Sequence, residues 1–171
     1  MKAKSIRMAK ASEFRSFIFG IEDSLVSTVG LLSGIAIAAV PKATIILSGI
    51  VLIFVEAFSM GAGSFLSESS VEDLTRQRVS TASTVRVGVV MFLSYFFAGF
   101  IPLSPYIFLD AAAAFPTSIL VSLTALFVLG IWSGSFTKIS LLKSGMRMLV
   151  IGGFAIGIGV MAGTIVHGLT G

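Results

Sequence analysis

Long apolar segments alternate with short polar ones along the whole chain. Five segments are apolar over roughly 20 residues or more, the length that an α-helix needs to cross a bilayer core of ~30 Å. Their predicted ranges are 17–40, 43–67, 84–107, 115–136 and 146–168. The pattern therefore predicts an all-α integral membrane protein with five transmembrane helices.

The polar segments divide the chain into two regions. Residues 1–16 carry five basic residues and are predicted to form a cytosolic amphipathic helix at the membrane surface. Residues 17–171 are predicted to form one five-helix transmembrane domain. Within it, we expect Pro102 and Pro105 to end the third helix, because proline lacks the backbone donor that a helix needs.

Composition narrows the function classes. The chain is 56% hydrophobic and 12% charged, and a soluble domain of this size cannot bury so much apolar surface. Cysteine is absent, which excludes disulfides and thiolate metal sites. The basic residues lie at the ends of apolar segments, so no nucleic-acid partner is expected. The single histidine, His167, falls on the opposite membrane face from Asp23, so we expect neither an enzyme nor a prosthetic group.

The distribution of lysine and arginine predicts the orientation. Of the 12 such residues, only Lys42 falls on one side of the predicted membrane. The positive-inside rule then places the N-terminus in the cytosol and the C-terminus outside the cell or in a lumen. The other eleven are Lys2, Lys4, Arg7, Lys10, Arg15, Arg76, Arg78, Arg86, Lys138, Lys143 and Arg147.

The second apolar segment carries an ionisable residue near its middle. On a helix, Glu56 shares a face with Met60, Gly63 and Ser67. An ionisable side chain at membrane depth costs several kcal/mol and usually has a function. A carboxylate beside a thioether suits a borderline transition metal. Two plainer interpretations stay open: Met60 as lipid-facing or core filler, and Glu56 as a protonated packing residue.

The first apolar segment carries a seam of small and polar residues. Gly20, Asp23, Ser27, Gly30 and Gly34 are spaced by 3, 4, 3 and 4 residues. Such spacing lets two membrane helices approach closely, so the seam is a candidate dimer contact, with an ordinary packing seam as the alternative. Asp23 favours a functional role, since it adds a second carboxylate to the membrane interior.

Helix rise gives a first estimate of depth. Asp23 is predicted to lie ~10 Å from the cytosolic edge, with Met60 at a similar depth and Glu56 ~6 Å deeper. The three residues would then form a descending series from the cytosol.

Two stretches resemble the vacuolar iron transporter family. Residues 15–34 read RSFIFGIEDSLVSTVGLLSG and resemble its first helix, and residues 56–67 read EAFSMGAGSFLS and resemble its second. IPLSPY at 101–106 and GMRMLVIGGFAIGIG at 145–159 are similar to the exit from its third helix and the start of its last. The resemblance implies a homodimer in which two copies of helix one line a path on the twofold axis. It also implies export of Fe²⁺, and often Mn²⁺, against protons, with metal bound at Asp23, Glu56 and Met60.

The chain also departs from the family pattern. Ser16, Ser24 and Ser64 replace residues that are typically Asp, Gly and, in many members, Glu. The long metal-collecting domain between helices two and three is reduced to about 13 residues, at 71–83. A minimal cytosolic vestibule could remain, and a solvated charged loop is the alternative interpretation. The vestibule candidates are Glu22, Glu68 and Glu72.

Two functions follow as hypotheses. The first is proton-coupled export of a divalent transition metal, Fe²⁺ or possibly Mn²⁺, from the cytosol. The second is a membrane packing or adaptor protein derived from the same fold. The expected partners are lipid, a second copy of the chain and divalent metal ions. The expected location is a plasma (inner) membrane in a prokaryote or an organelle membrane in a eukaryote.

Overall fold

The structure, a computed structural model, describes residues 2–75, 81–137 and 140–170. These residues form five α-helices and no strand. The prediction of an all-α protein is thus confirmed. The helices are α1 (Lys2–Ile37), α2 (Lys42–Thr75), α3 (Thr81–Phe108), α4 (Ala111–Thr137) and α5 (Leu141–Thr170).

Each of the five helices is long and apolar enough to cross a membrane. Many large apolar side chains lie on the outer surface, among them Phe58, Phe154 and Leu169, as expected where lipid replaces water. The chain is therefore an integral membrane protein. The membrane-spanning stretches are Lys10–Ile37, Lys42–Val71, Thr81–Phe108, Ala112–Phe136 and Leu141–Leu169.

Helix α1 continues through the predicted boundary at residue 16 without a break. Its 36 residues make it about 54 Å long, so the N-terminal segment is an extension of the first span. Two ion pairs hold this extension: Glu13 with Arg86 of α3 at 3.5 Å, and Arg15 with Glu68 of α2 at 4.0 Å. We call this side of the bundle the predicted cytosolic side.

The third helix does not end at its prolines, so that prediction was wrong. Pro102 and Pro105 lie inside α3. Proline at 105 has no N–H for the Ile101 carbonyl, and the Ser104 hydroxyl donates to that carbonyl at 2.8 Å instead. Ser118 of α4 donates to the Pro102 carbonyl at 2.6 Å. The Ser104 hydroxyl thus supplies the donor that Pro105 lacks, as membrane helices require.

Helix α1 lies at the centre of the bundle and packs against the other four helices. Its residues Leu25, Val29 and Leu32 are completely buried. Leu25 joins a core cluster with α3, α4 and α5, and Leu32 joins a second one with α2, α3 and α4. This central position explains how α1 can present polar residues to several neighbours.

The small-residue seam of α1 packs within the same chain. A Cβ on Gly30 would lie 3.2 Å from the Ala155 carbonyl oxygen, and one on Gly34 would lie 2.6 Å from that of Gly159. Gly20 lies against Met91 of α3 in the same way. The close approach expected between two copies of α1 is therefore made to α5 and α3 of one chain. A homodimer stays a prediction, with its contact to be found elsewhere than at these glycines.

Candidate metal site

Glycine contacts set the register of α2 against α3. A Cβ on Gly61 of α2 would lie 2.9 Å from the Phe92 Cβ. Further into the membrane, a Cβ on Gly99 of α3 would lie 2.6 Å from a side-chain carbon of Ile53. The two helices are antiparallel neighbours, so residues 53–61 face residues 92–99.

This register sets the levels of the side chains between the contacts. Glu56 comes to the level of Tyr95 on α3. Met60, about one turn nearer the predicted cytosolic side, comes to the level of Met91. The carboxylate and the thioether of α2 therefore belong to two successive levels of the bundle.

Hydrogen bonds place Asp23 at the deeper level. The Ser24 hydroxyl donates to the Tyr95 carbonyl at 2.6 Å, and the Ser27 and Tyr95 hydroxyl oxygens lie 2.7 Å apart. Because Ser27 directs its hydrogen to the Asp23 carbonyl at 2.7 Å, Tyr95 is the donor to Ser27. Asp23 and Glu56 lie close enough for their charges to interact. Tyr95 is within the same electrostatic reach of both carboxylates.

The predicted order of depths was therefore wrong in one respect. Asp23 was expected level with Met60, and it lies level with Glu56. The hydrogen bonds of Ser24 and Ser27 to Tyr95 assign Asp23 to this level, because Tyr95 also lies at the level of Glu56. Counted from the span ends at Lys10 and Val71, Asp23 lies ~19.5 Å along α1, midway between Met60 at ~16.5 Å and Glu56 at ~22.5 Å along α2, so these contacts rather than helix rise distinguish the two levels.

A cavity of about 860 Å³ opens between α1 and α2, on the predicted cytosolic side of the two carboxylates. Its wall includes Glu22, Met60 and Met91, together with Ser64 and Ser67. Neither Asp23 nor Glu56 belongs to the wall. The cavity is therefore an approach to the carboxylate pair rather than the pair's own pocket.

The vestibule candidates have different surroundings. Glu22 lines the cavity and lies within electrostatic reach of Arg147 and Asp23. Glu68 accepts a hydrogen bond from Ser12 at 3.1 Å and pairs with Arg15. The Glu72 side chain lies outside the described residues. Of the two whose side chains the structure describes, Glu22 lies on the cavity wall and Glu68 does not.

The carboxylate pair has limited ligand capacity within one chain. Among the described residues, no three His, Cys, Asp or Glu side chains come together as a metal site. Asp23 and Glu56 are both partly buried and lie within electrostatic reach of each other, so their negative charges repel. A divalent cation or protons would relieve that repulsion, so the pair suits a site that exchanges one for the other.

Two residues of this region were not found from the sequence. Tyr95 and Met91 both lie on α3, which showed only an apolar pattern. A tyrosine or a methionine in such a segment is typical of packing, and the register with α1 and α2 is needed to assign it to a site.

Comparison with known proteins identifies the family. The model of the vacuolar iron transporter (VIT) family matches residues 14–84 and 73–164, which together include most of all five helices. The chain belongs to the VIT family. The match confirms the resemblance of the α1 and α2 motifs.

A curated VIT relative is also similar along most of its length. Vacuolar iron transporter 1 of Tulipa gesneriana is 26% identical over 202 aligned positions, covering 82% of this chain and 82% of the relative. Together with the five spanning helices, the relative supports a protein of an organelle or cell membrane.

Proposed function

We propose that this VIT protein exports a divalent transition metal from the cytosol in exchange for protons. Metal ion transport follows from the family. The name of the tulip relative makes Fe²⁺ the expected cargo, with Mn²⁺ second. The observation that carries the proposal is the level shared by Asp23 and Glu56, with Met60 one turn nearer the predicted cytosolic side.

The geometry supports entry through the cavity between α1 and α2. A metal ion leaving water needs replacement ligands before it reaches the membrane interior. Glu22 and the serine hydroxyl groups of the wall offer oxygen, and Met60 offers sulfur. The Asp23 and Glu56 carboxylates then offer two negative charges that match a divalent cation.

Proton coupling follows from competition at the same oxygen atoms. Metal binding requires deprotonated carboxylates and so releases protons. Protons arriving from the opposite, acidic side would displace the metal there. One site that holds either a metal ion or protons thereby links the two fluxes in opposite directions.

A non-transporting packing or adaptor protein is the second candidate. It is favoured by the small number of acidic ligands that the described residues of one chain bring together. Such a protein would keep the fold and the α1–α5 glycine packing, while metal flux would be absent.

A flux assay distinguishes a transporter from a non-transporting packing or adaptor protein. The purified chain is reconstituted into proteoliposomes, and uptake of Fe²⁺ held reduced by ascorbate is followed with and without an imposed pH gradient. We expect gradient-driven uptake of Fe²⁺ and poor uptake of Ca²⁺ and Mg²⁺, which prefer sites richer in oxygen ligands. Uptake equal to that of protein-free liposomes would contradict transport.

The Glu56→Gln variant tests the coupling site. Glutamine keeps the shape and removes the charge that would hold metal or release a proton, so we expect gradient-driven flux to be abolished. Asp110→Asn, a matched change at an exposed position between α3 and α4, is the control and should keep full flux. Intact gradient-driven flux in Glu56→Gln would show that this carboxylate is structural.

A further inference from the structure

Helix α3 contributes a second methionine to the cavity that contains Met60. Met91 is only 4% exposed, yet it belongs to the cavity wall. Its side chain therefore lies at the boundary between the protein core and the cavity. The two methionines come from different helices that form neighbouring walls.

The packing of α2 on α3 puts these methionines at one level. Gly61, the neighbour of Met60, lies against both Gly88 and Phe92. Met91 stands between those two residues in the sequence. Because the backbones touch at this point, the two side chains start from the same height in the membrane.

Helix α1 leaves space for the Met91 side chain. A Cβ at Gly20 would lie 3.2 Å from the Met91 sulfur and 3.1 Å from its carbonyl oxygen. The thioether is therefore close to the α1 backbone because residue 20 has no side chain. Glu22, two residues along α1, lies on the wall of the same cavity.

Other methionines of the chain have different surroundings. Met148 is 8% exposed and belongs to a core cluster formed with α1, α3 and α4. Met161 is 59% exposed on the outer surface of α5. Among the methionines whose side chains the structure describes, Met60 and Met91 line the cavity, and they share it with a carboxylate.

We propose that Glu22, Met60 and Met91 form a selectivity site for thiophilic transition metals at the entrance to the carboxylate pair. The inference rests on the proposed function and specifies its substrate class. Two thioethers favour softer metals, whereas Mn²⁺, Mg²⁺ and Ca²⁺ prefer oxygen ligands. The site therefore discriminates Fe²⁺ and Co²⁺ from Mn²⁺ before either ion reaches Asp23 and Glu56.

The test compares metals rather than total activity. Met91→Leu keeps the side-chain volume and removes the sulfur, a change that cores tolerate well. In proteoliposomes that take up Fe²⁺ and Mn²⁺ in competition, we expect the preference for Fe²⁺ to fall by about tenfold, which corresponds to about 1.4 kcal/mol. Fe²⁺ uptake measured alone should fall by more than Mn²⁺ uptake measured alone. Met148→Leu, at a buried methionine that does not line the cavity, is the matched control and should keep the parental ratio.

A binding measurement separates this inference from the transport proposal. Titration of Co²⁺ and Mn²⁺ into the detergent-purified chain reports the site without any flux. A larger loss of Co²⁺ binding than of Mn²⁺ binding in Met91→Leu would support the site even if liposomes took up no metal. Absent uptake would then contradict only transport. A parental Fe²⁺ to Mn²⁺ ratio in a transporting Met91→Leu variant, or an equal effect in Met148→Leu, would overturn the selectivity site and leave transport standing.

Discussion

At the residue scale, the hydroxyl groups of Tyr95 and Ser27 tie α3 to α1 beside the carboxylate pair. Tyr95 is fully buried, and its hydroxyl oxygen lies 2.7 Å from that of Ser27. Tyr95→Phe removes the donor and leaves the ring in place. We expect it to destabilise the fold by about 1 kcal/mol, the usual net value of one hydrogen bond, seen as a lower Tm in detergent.

A double-mutant cycle identifies the partner. If Tyr95 acts through Ser27, the double variant Tyr95→Phe with Ser27→Ala should cost less than the sum of the single variants, by about 0.5 kcal/mol or more. Additive losses would mean that the two hydroxyl groups act separately. Ser104→Ala, which removes a hydroxyl bonded within α3, serves as the control and should add independently.

The predictability of the site differs from residue to residue. Asp23 and Glu56 were found from the sequence because a charge inside an apolar segment is costly and therefore conspicuous. Met60 was found because it shares a helical face with Glu56. Tyr95 and Met91 lack such a signal, because an uncharged tyrosine or methionine is typical of packing in an apolar helix. Their assignment depends on which helices neighbour α3, and periodicity within one segment does not contain that information.

At the element scale, the packing of α1 on α5 depends on glycine at the crossing. A Cβ on Gly34 would lie 2.6 Å from the Gly159 carbonyl oxygen, so backbone atoms would have to move. We expect Gly34→Ala to destabilise the fold by about 1–3 kcal/mol, the usual cost of overpacking. Thermal unfolding of the purified variant in detergent measures the change.

Gly157→Ala is the matched control on α5. A Cβ there would meet nothing within 4 Å, and alanine is the better helix former by roughly 1 kcal/mol. We expect a Tm equal to or above that of the parent. A Tm of Gly34→Ala equal to that of the parent would mean that the crossing tolerates a methyl group and that the seam is not a tight contact.

The helices themselves were largely predictable, because crossing a bilayer demands length and apolarity that the sequence displays directly. Their ends were less so. Helix α3 runs past Pro102 and Pro105, and the Ser104 hydroxyl donates to the Ile101 carbonyl that Pro105 leaves without its N–H partner, a compensation that the proline rule alone does not include. Helix α1 begins at Lys2, far before residue 17, and Glu13 and Arg15 on this extension pair with Arg86 of α3 and Glu68 of α2.

At the scale of the whole molecule, the ligand shortage of a single chain favours assembly. Asp23 and Glu56 provide two carboxylates. The described residues of one chain bring no third His, Cys, Asp or Glu side chain to them. A second copy with its path on a twofold axis would double the set. We therefore predict a homodimer of about twice the 17.9 kDa chain mass, measurable by light scattering of the detergent-purified protein after subtraction of the detergent.

Single introduced cysteines can locate the contact between the two copies. Because the chain has no native cysteine, any disulfide must form at the introduced position. Ser59 is exposed on α2, beside Met60 at the cavity. If the twofold axis follows the path, Ser59→Cys should form a disulfide-linked dimer on oxidation in membranes. Phe154→Cys, on the exposed face of α5, should stay monomeric on a denaturing gel. Crosslinking through Phe154→Cys alone would move the interface to α5 and leave the carboxylate pair away from the axis, so each chain would then have to carry metal through its own path.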